Sequence, residues 1–163
     1  MIKFLILDVD GVMTDGKITY NEQGEEIKSF CVRDGMGIKI AQSTGINIII
    51  MSGRYSKITA YRAQELGIEG VYQGVKDKLE LYESLKDKLG ANNDEVAFIG
   101  DDINDISLIK TVGLSATVAD APEYVKEMAD IVIPLTGGDG AVRNFIEVIL
   151  KKNEKWENIL KSL

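Results

Sequence analysis

Six short apolar runs, each followed by a segment of helical period, constrain this chain more than any other feature. The runs fall at residues 4–7, 46–51, 71–72, 96–99, 114–118 and 131–133, and they are rich in Ile and Val. They are apolar throughout rather than alternating, which is how strands covered on both faces of a parallel sheet read. Between them, residues 35–44, 56–66, 76–89, 104–112, 122–128 and 140–152 carry apolar side chains at helical spacing, and 156–163 reads as a helical tail. Ser56 stands where an N-cap is wanted, Gly45, Gly67 and Gly90 where helices stop, and Pro122 in a first turn. Strand and helix alternating along a whole chain predict an α/β fold. The expected form is a doubly wound, Rossmann-like parallel sheet that takes its ligands at the carboxyl ends of the strands.

Residues 17–30 (KITYNEQGEEIKSF) break the rhythm. Two short alternating stretches around a polar turn predict a β-hairpin, inserted directly after the first strand and over the expected active edge. No Pro/Ser-rich linker or repeat divides the 163 residues, so one domain spanning 1–163 is expected, with a tail at about 153–163.

Composition removes several classes of function. The chain has no histidine, which excludes Ser-His-Asp and Cys-His apparatus and zinc sites of the usual mixed kind. A lone Cys31 cannot close an intrachain disulfide. Nineteen Lys and Arg against 26 Asp and Glu give a net charge of −7, which argues against nonspecific nucleic-acid binding. No apolar run approaches the roughly 18–20 residues of a membrane span, and the start lacks the cleavage region of a signal peptide. A cytoplasmic protein with neither a nucleic-acid nor a membrane partner is the expectation.

The ends of the apolar runs carry the chemistry. The first runs into Asp8-Val9-Asp10-Gly11-Val12-Met13-Thr14. Taken alone the two acids read equally well as turn residues; a calcium loop is excluded because no Asp or Asn follows at position five and no Glu closes the loop. The second ends in Ser52-Gly53-Arg54, where a hydroxyl beside backbone N–H groups at a helix start suits phosphate oxygens, although Ser-Gly after a strand is also an ordinary turn. After the third comes Lys78 at a helix start, where the dipole disfavours a cation; a solvated lysine remains open. The fourth ends in Gly100-Asp101-Asp102-Ile103-Asn104-Asp105, with more acids than capping needs.

Successive strands thus deliver Asp8, Asp10 and Thr14, then Ser52, then Lys78, then Asp101 and Asp102 to one edge. This order resembles the haloacid-dehalogenase-like phosphohydrolase superfamily, with its D-x-D-G-x-x-T, Ser/Thr, Lys and G-D-D-x-x-D motifs. The resemblance implies a catalytic set of Asp8, Asp10, Thr14, Ser52 and Lys78. Asp8 would be the nucleophile that forms an aspartyl-phosphate, and Asp10 the acid and then the base. Mg²⁺ would be bound by the Asp8 carboxylate, the Asp10 main-chain carbonyl and Asp101, with Asp102 and Asp105 orienting ligands from behind. Ser52 and Lys78 would hold phosphoryl oxygens, and Thr14 would fix the loop carrying Asp10. Most members insert a cap domain; here only the hairpin fills the first gap, so a capless member is expected.

A closer likeness lies in Phe30-Cys31-Val32-Arg33-Asp34-Gly35-Met36-Gly37-Ile38, Tyr72-Gln73-Gly74 with Lys78, Ala119-Asp120-Ala121 and Gly137-Gly138-Asp139-Gly140-Ala141-Val142-Arg143. These stretches, across about residues 2–150, resemble the 3-deoxy-D-manno-octulosonate 8-phosphate phosphatase family. That likeness implies hydrolysis of an acidic eight-carbon sugar phosphate on the route to bacterial lipopolysaccharide. It also implies a homotetramer whose hairpins form a central barrel and whose C-terminal tails help cover neighbouring sites. Carried over, Asp10, Cys31, Val32, Arg33, Asp34, Gly35, Lys39, Arg54, Arg62 and Lys78 would line the substrate site. Arginine suits bidentate contact with carboxylate or phosphate, and Asp34 could accept sugar hydroxyls. Cys31 stands where members more often carry a polar residue such as asparagine, and Asp139 where an arginine is frequent. A phosphatase of a nine-carbon acidic sugar phosphate is the nearest alternative. A phospho-receiver domain would place its phosphorylated Asp after the third strand, and a scaffold on a dead phosphatase fold would be expected to lose the nucleophile or metal acid.

Overall fold

The computed structural model describes residues 1–161. Six strands form one parallel sheet: β1 (Phe4–Leu7), β4 (Asn47–Ser52), β5 (Gly70–Gln73), β6 (Val96–Ile99), β7 (Leu114–Thr117) and β8 (Ile131–Val132). Their order is β5-β4-β1-β6-β7-β8. The first strand in sequence therefore lies inside the sheet, and the chain winds outward from it in both directions. Leu7 pairs with Ile50 on one side and Ile99 on the other, which fixes the register at which β1, β4 and β6 end. Leu5, Leu7, Ile50, Ala97, Phe98 and Ile99 are fully buried, as strands covered on both faces require.

Helices α1 (Val32–Ser43), α2 (Lys57–Leu66), α3 (Lys78–Leu89), α4 (Ile106–Ile109), α5 (Glu123–Lys126), α6 (Ala141–Lys152) and α7 (Trp156–Lys161) connect and flank the strands. Right-handed crossovers put α1 and α2 on one face, where α6 returns to pack on α1, while α3 and α4 pack together on the other. Ser56 caps α2, its hydroxyl accepting the Thr59 N–H, and Asp77 caps α3 by accepting from Leu79 and Glu80. The tail helix α7 packs back through Trp156, over which the Arg143 guanidinium lies at 5.6 Å; residues 162–163 of the expected tail lie outside the described residues.

The hairpin is present and small: β2 (Thr19–Tyr20) pairs antiparallel with β3 (Glu26–Ile27). Its turn is built on Asn21, whose side-chain oxygen accepts from the Gln23 and Glu25 N–H groups.

Two boundaries differ most from the sequence reading, while others, such as the starts of α3 and α5, shift by one or two residues. Helix α1 starts at Val32, three residues before the expected Gly35, and so contains Gly35 and Gly37. Each costs about 1 kcal/mol of helix propensity relative to alanine. Gly37 is needed for close approach, since a Cβ there would meet the Arg143 backbone and Ile146 of α6, whereas one on Gly35 would displace the Arg62 guanidinium. The helix expected over 104–112 is instead a single 3₁₀ turn at Ile103–Asp105 followed by the one-turn α4. The reason lies in Asp105, whose carboxylate turns back to the loop before it.

Candidate active site

At the carboxyl ends of β1, β4 and β6 a cleft of about 270 Å³ is lined by Asp8, Asp10, Ser52, Arg54, Asp101 and Asn104 among others. Asp8 follows directly on β1, its N–H bonded to the Ile99 carbonyl, so its buried carboxylate is fixed to the sheet. The chain then curls over the strand end. The hydroxyl of Thr14 donates to the Val9 carbonyl and accepts from the N–H groups of Gly11 and Gly16, holding the loop that carries Asp10. Gly137 packs onto this loop so closely that a Cβ there would strike the Gly11 carbonyl.

Lys78 lies under the cleft with its side chain 1% exposed. Its ammonium is 3.0 Å from Asp8 Oδ1 and donates to Asp105 Oδ1. Burial works against its charge, but Asp8 and Asp105 outweigh that and raise its pKa above the ordinary lysine value. This ion pair, not solvation, is what keeps a lysine at a helix start. Asp105 has no exposure, and its other oxygen accepts the N–H groups of Asp101 at 2.9 Å and Asp102 at 3.2 Å. It therefore shapes the loop that presents Asp101. Asp102 is exposed and caps the following turn, accepting from the Ile103 N–H.

Asp8, Asp101 and Asp105 each present a carboxylate oxygen within 4.8 Å of the others. Burial, with repulsion from Asp105, pushes the Asp8 carboxyl up to about 6 despite Lys78. Burial, then Asp8, Asp105 and Asp102, pushes Asp101 up to about 8. An all-oxygen set crowded enough to hold protons fits a hard divalent cation. With both Asp105 oxygens already engaged, Asp8 and Asp101 are the two carboxylates left to ligate it.

Not every residue expected at the site reaches it. Cys31 occupies the N-cap of α1 with no capping hydrogen bond from its side chain, and Val32 and Arg33 are exposed in the first turn. Arg33 makes no ion pair among the described residues. Lys39 does not line the cleft: α1 runs from the cleft toward the amino ends of the strands, and seven residues of helix carry it about 10 Å away. It lines a separate cavity with Phe4, Ile48, Gly67 and Leu89. Arg62 lies over the Phe30 ring at 5.7 Å and pairs with Glu65 at 3.3 Å, packed on Gly35 rather than facing the cleft. Asp34 is buried, and its Oδ1 accepts the Arg143 N–H at 2.8 Å, so it caps α6.

Two residues that the sequence reading did not single out enter the site from the hairpin. The Lys28 ammonium bonds to Asp10 Oδ1 and lies 3.5 Å from Glu26 Oε1. Glu26 accepts the Ser56 hydroxyl at 2.6 Å and sits 3.0 Å from Arg54 Nη2. Burial opposes the Glu26 charge, but Ser56, Lys28 and Arg54 together hold its carboxyl below the usual value. Arg54 Nη1 is buried, makes no hydrogen bond and lies 3.6 Å from Asp10 Oδ2. Asn104 also lines the cleft.

The family model describing haloacid dehalogenase-like hydrolases matches residues 55–146, and this chain belongs to that class. A 3-deoxy-D-manno-octulosonate 8-phosphate phosphatase from Yersinia pestis is 45% identical over 156 residues, covering 96% of this chain and 83% of the relative. The crystal structure of such a phosphatase from Moraxella catarrhalis, in complex with magnesium ion, phosphate ion and a KDO molecule, superposes with a TM-score of 0.96. It is 38% identical, over 99% of this chain and 92% of that one. A cobalt-bound form of the Haemophilus influenzae phosphatase gives a TM-score of 0.91 at 42% identity, over 95% and 91% of the two chains. Within the class, the chain is a member of the 3-deoxy-D-manno-octulosonate 8-phosphate phosphatase family.

Proposed function

We propose that this chain is a Mg²⁺-dependent phosphatase that hydrolyses 3-deoxy-D-manno-octulosonate 8-phosphate to the free sugar acid and phosphate. The observation that carries the reading is Asp8: a buried carboxylate at the end of an interior strand, 3.0 Å from a buried lysine and crowded by two further acids. Asp8 and Asp101, with the Asp10 main-chain carbonyl, would hold the metal, which when bound supplies charge neutralisation at the phosphoryl group. Asp8 attacks phosphorus, and as the P–O ester bond breaks Asp10 gives its proton to the sugar oxygen. Asp10 then takes a proton from water, which attacks the aspartyl-phosphate and frees Asp8 and inorganic phosphate. Lys78 and the Ser52 hydroxyl steady the phosphoryl oxygens, and the unbonded Nη1 of Arg54 suits an acidic substrate.

A homotetramer built through the hairpins completes the proposal, supported by the exposure of Ile18, Tyr20 and Ile27 there. A cytoplasmic location is supported by the lone, unpaired Cys31. The test is phosphate release from a panel of eight- and nine-carbon acidic sugar phosphates and hexose phosphates. The octulosonate ester is expected to be turned over fastest, and Asp8→Asn to abolish release. Preference for a hexose phosphate overturns the substrate, and activity surviving in Asp8→Asn overturns the nucleophile.

A further inference from the structure

Glu26 opens β3 and Lys28 follows directly on the strand; the Lys28 ammonium returns to within 3.5 Å of Glu26 Oε1, while Ile27 between them is exposed. The Lys28 side chain is 2% exposed. An ammonium withdrawn this far from water loses several kcal/mol of solvation, so it persists only where carboxylates replace the water. Asp10 and Glu26 do so. Glu26 is held by Ser56 and Arg54 as well, which makes it the fixed post of the network. Asp10 is the member with chemistry to perform. One of its oxygens, Oδ1, is taken by Lys28, and the other, Oδ2, is left 3.6 Å from Arg54.

We propose that Lys28 is a positioning residue for Asp10. By engaging Oδ1 it turns Oδ2 to the leaving oxygen in the first half of the reaction and to water in the second. The inference rests on the phosphatase reading above, in which Asp10 is acid and base. It makes the hairpin part of the catalytic apparatus, because the group that orients the proton donor comes from outside the sheet that presents the nucleophile. In the first step Oδ2–H passes its proton to the ester oxygen as the P–O bond breaks, and the charge left on Asp10 is balanced by Lys28.

The experiment separates positioning from general damage by the need for a proton. A sugar phosphate expels an alkoxide, which must be protonated; p-nitrophenyl phosphate expels a stable phenolate, which need not be. Leaving-group release is followed in the first turnover, before water attacks, in the Mg²⁺-loaded full chain and in Lys28→Met and Lys28→Arg. For Lys28→Met the first-turnover rate on the sugar phosphate is expected to fall about 10²-fold, and that on the aryl phosphate by less than about threefold. Lys28→Arg, which keeps a cation on Oδ1, is expected to recover the sugar-phosphate rate to within about tenfold of wild type. Equal losses on both substrates, no loss on either, or a loss confined to KM overturns the proposal. Failure of the phosphatase reading is distinguishable, because the unaltered chain would then match Asp8→Asn on both substrates.

Discussion

The carboxylates around Asp8 differ in what each has left to offer. Asp105 has nothing free, with Lys78 on one oxygen and two main-chain N–H groups on the other. Asp8 and Asp101 hold protons to about 6 and about 8, each raised chiefly by burial and then by its neighbours. Because these folded-state values exceed the unfolded ones, the metal-free protein binds protons that the unfolded chain gives up, and its stability falls as pH rises through that range. A dication competes with the same protons and helps most where they have left. The gain in Tm on adding Mg²⁺ is therefore expected to be larger near about pH 8.5 than near about pH 5.5, read by calorimetry. A gain independent of pH would remove Asp8 and Asp101 as ligands. Asp8, Asp10, Ser52 and Asp101 were legible in the sequence because each lies within three residues of the end of an apolar run, and strand ends of a parallel sheet meet at one edge. Lys28 and Glu26 were not, since charged residues in an alternating hairpin look the same whether solvent or a carboxylate faces them.

The elements met the sequence reading where local signals sufficed. Caps at Ser56 and Asp77 and apolar strands at β1 and β6 need only neighbours in sequence to be recognised. Helix α1 did not announce its start, because Cys31 offers no side-chain cap and two glycines follow. Asp34 shows the same limit more sharply: its partner, the Arg143 N–H, lies 109 residues away. Burial pushes the Asp34 carboxyl up to about 6 even though Arg143 and Gly140 N–H groups favour its charge. A carboxyl with a raised pKa stabilises the fold most below its unfolded value and loses that contribution as pH rises from about 4 to about 6, by roughly 3 kcal/mol. Asp34→Asn keeps the accepting oxygen without the charge. Its melting temperature is expected to match wild type near about pH 3.5 and exceed it near about pH 8; a lower value at both would mean the charge itself holds α6.

At the scale of the molecule, the hairpin faces two ways. Inward it supplies Glu26 and Lys28 to the cleft, while Ile18, Tyr20 and Ile27 remain exposed. If these apolar side chains join copies of the chain, replacing Tyr20 and Ile27 by serine should shift the sedimentation coefficient toward that of a monomer. Turnover should fall with it, as the hairpin loses its support. An unchanged sedimentation coefficient would assign assembly to another surface.

Asn153 bears on how such a chain can come into being. Its side-chain amide clamps Ile2, accepting the Ile2 N–H at 2.9 Å and donating to the Ile2 carbonyl at 2.8 Å. Ile2, which leads into β1, is thus translated 151 residues before the side chain that clamps it. At about 5–20 residues per second, roughly 8–30 s of translation separate the two. The nascent chain spends that interval with Ile2 unclamped, and Asn153, the residue that caps the end of α6, works as the latch that holds it.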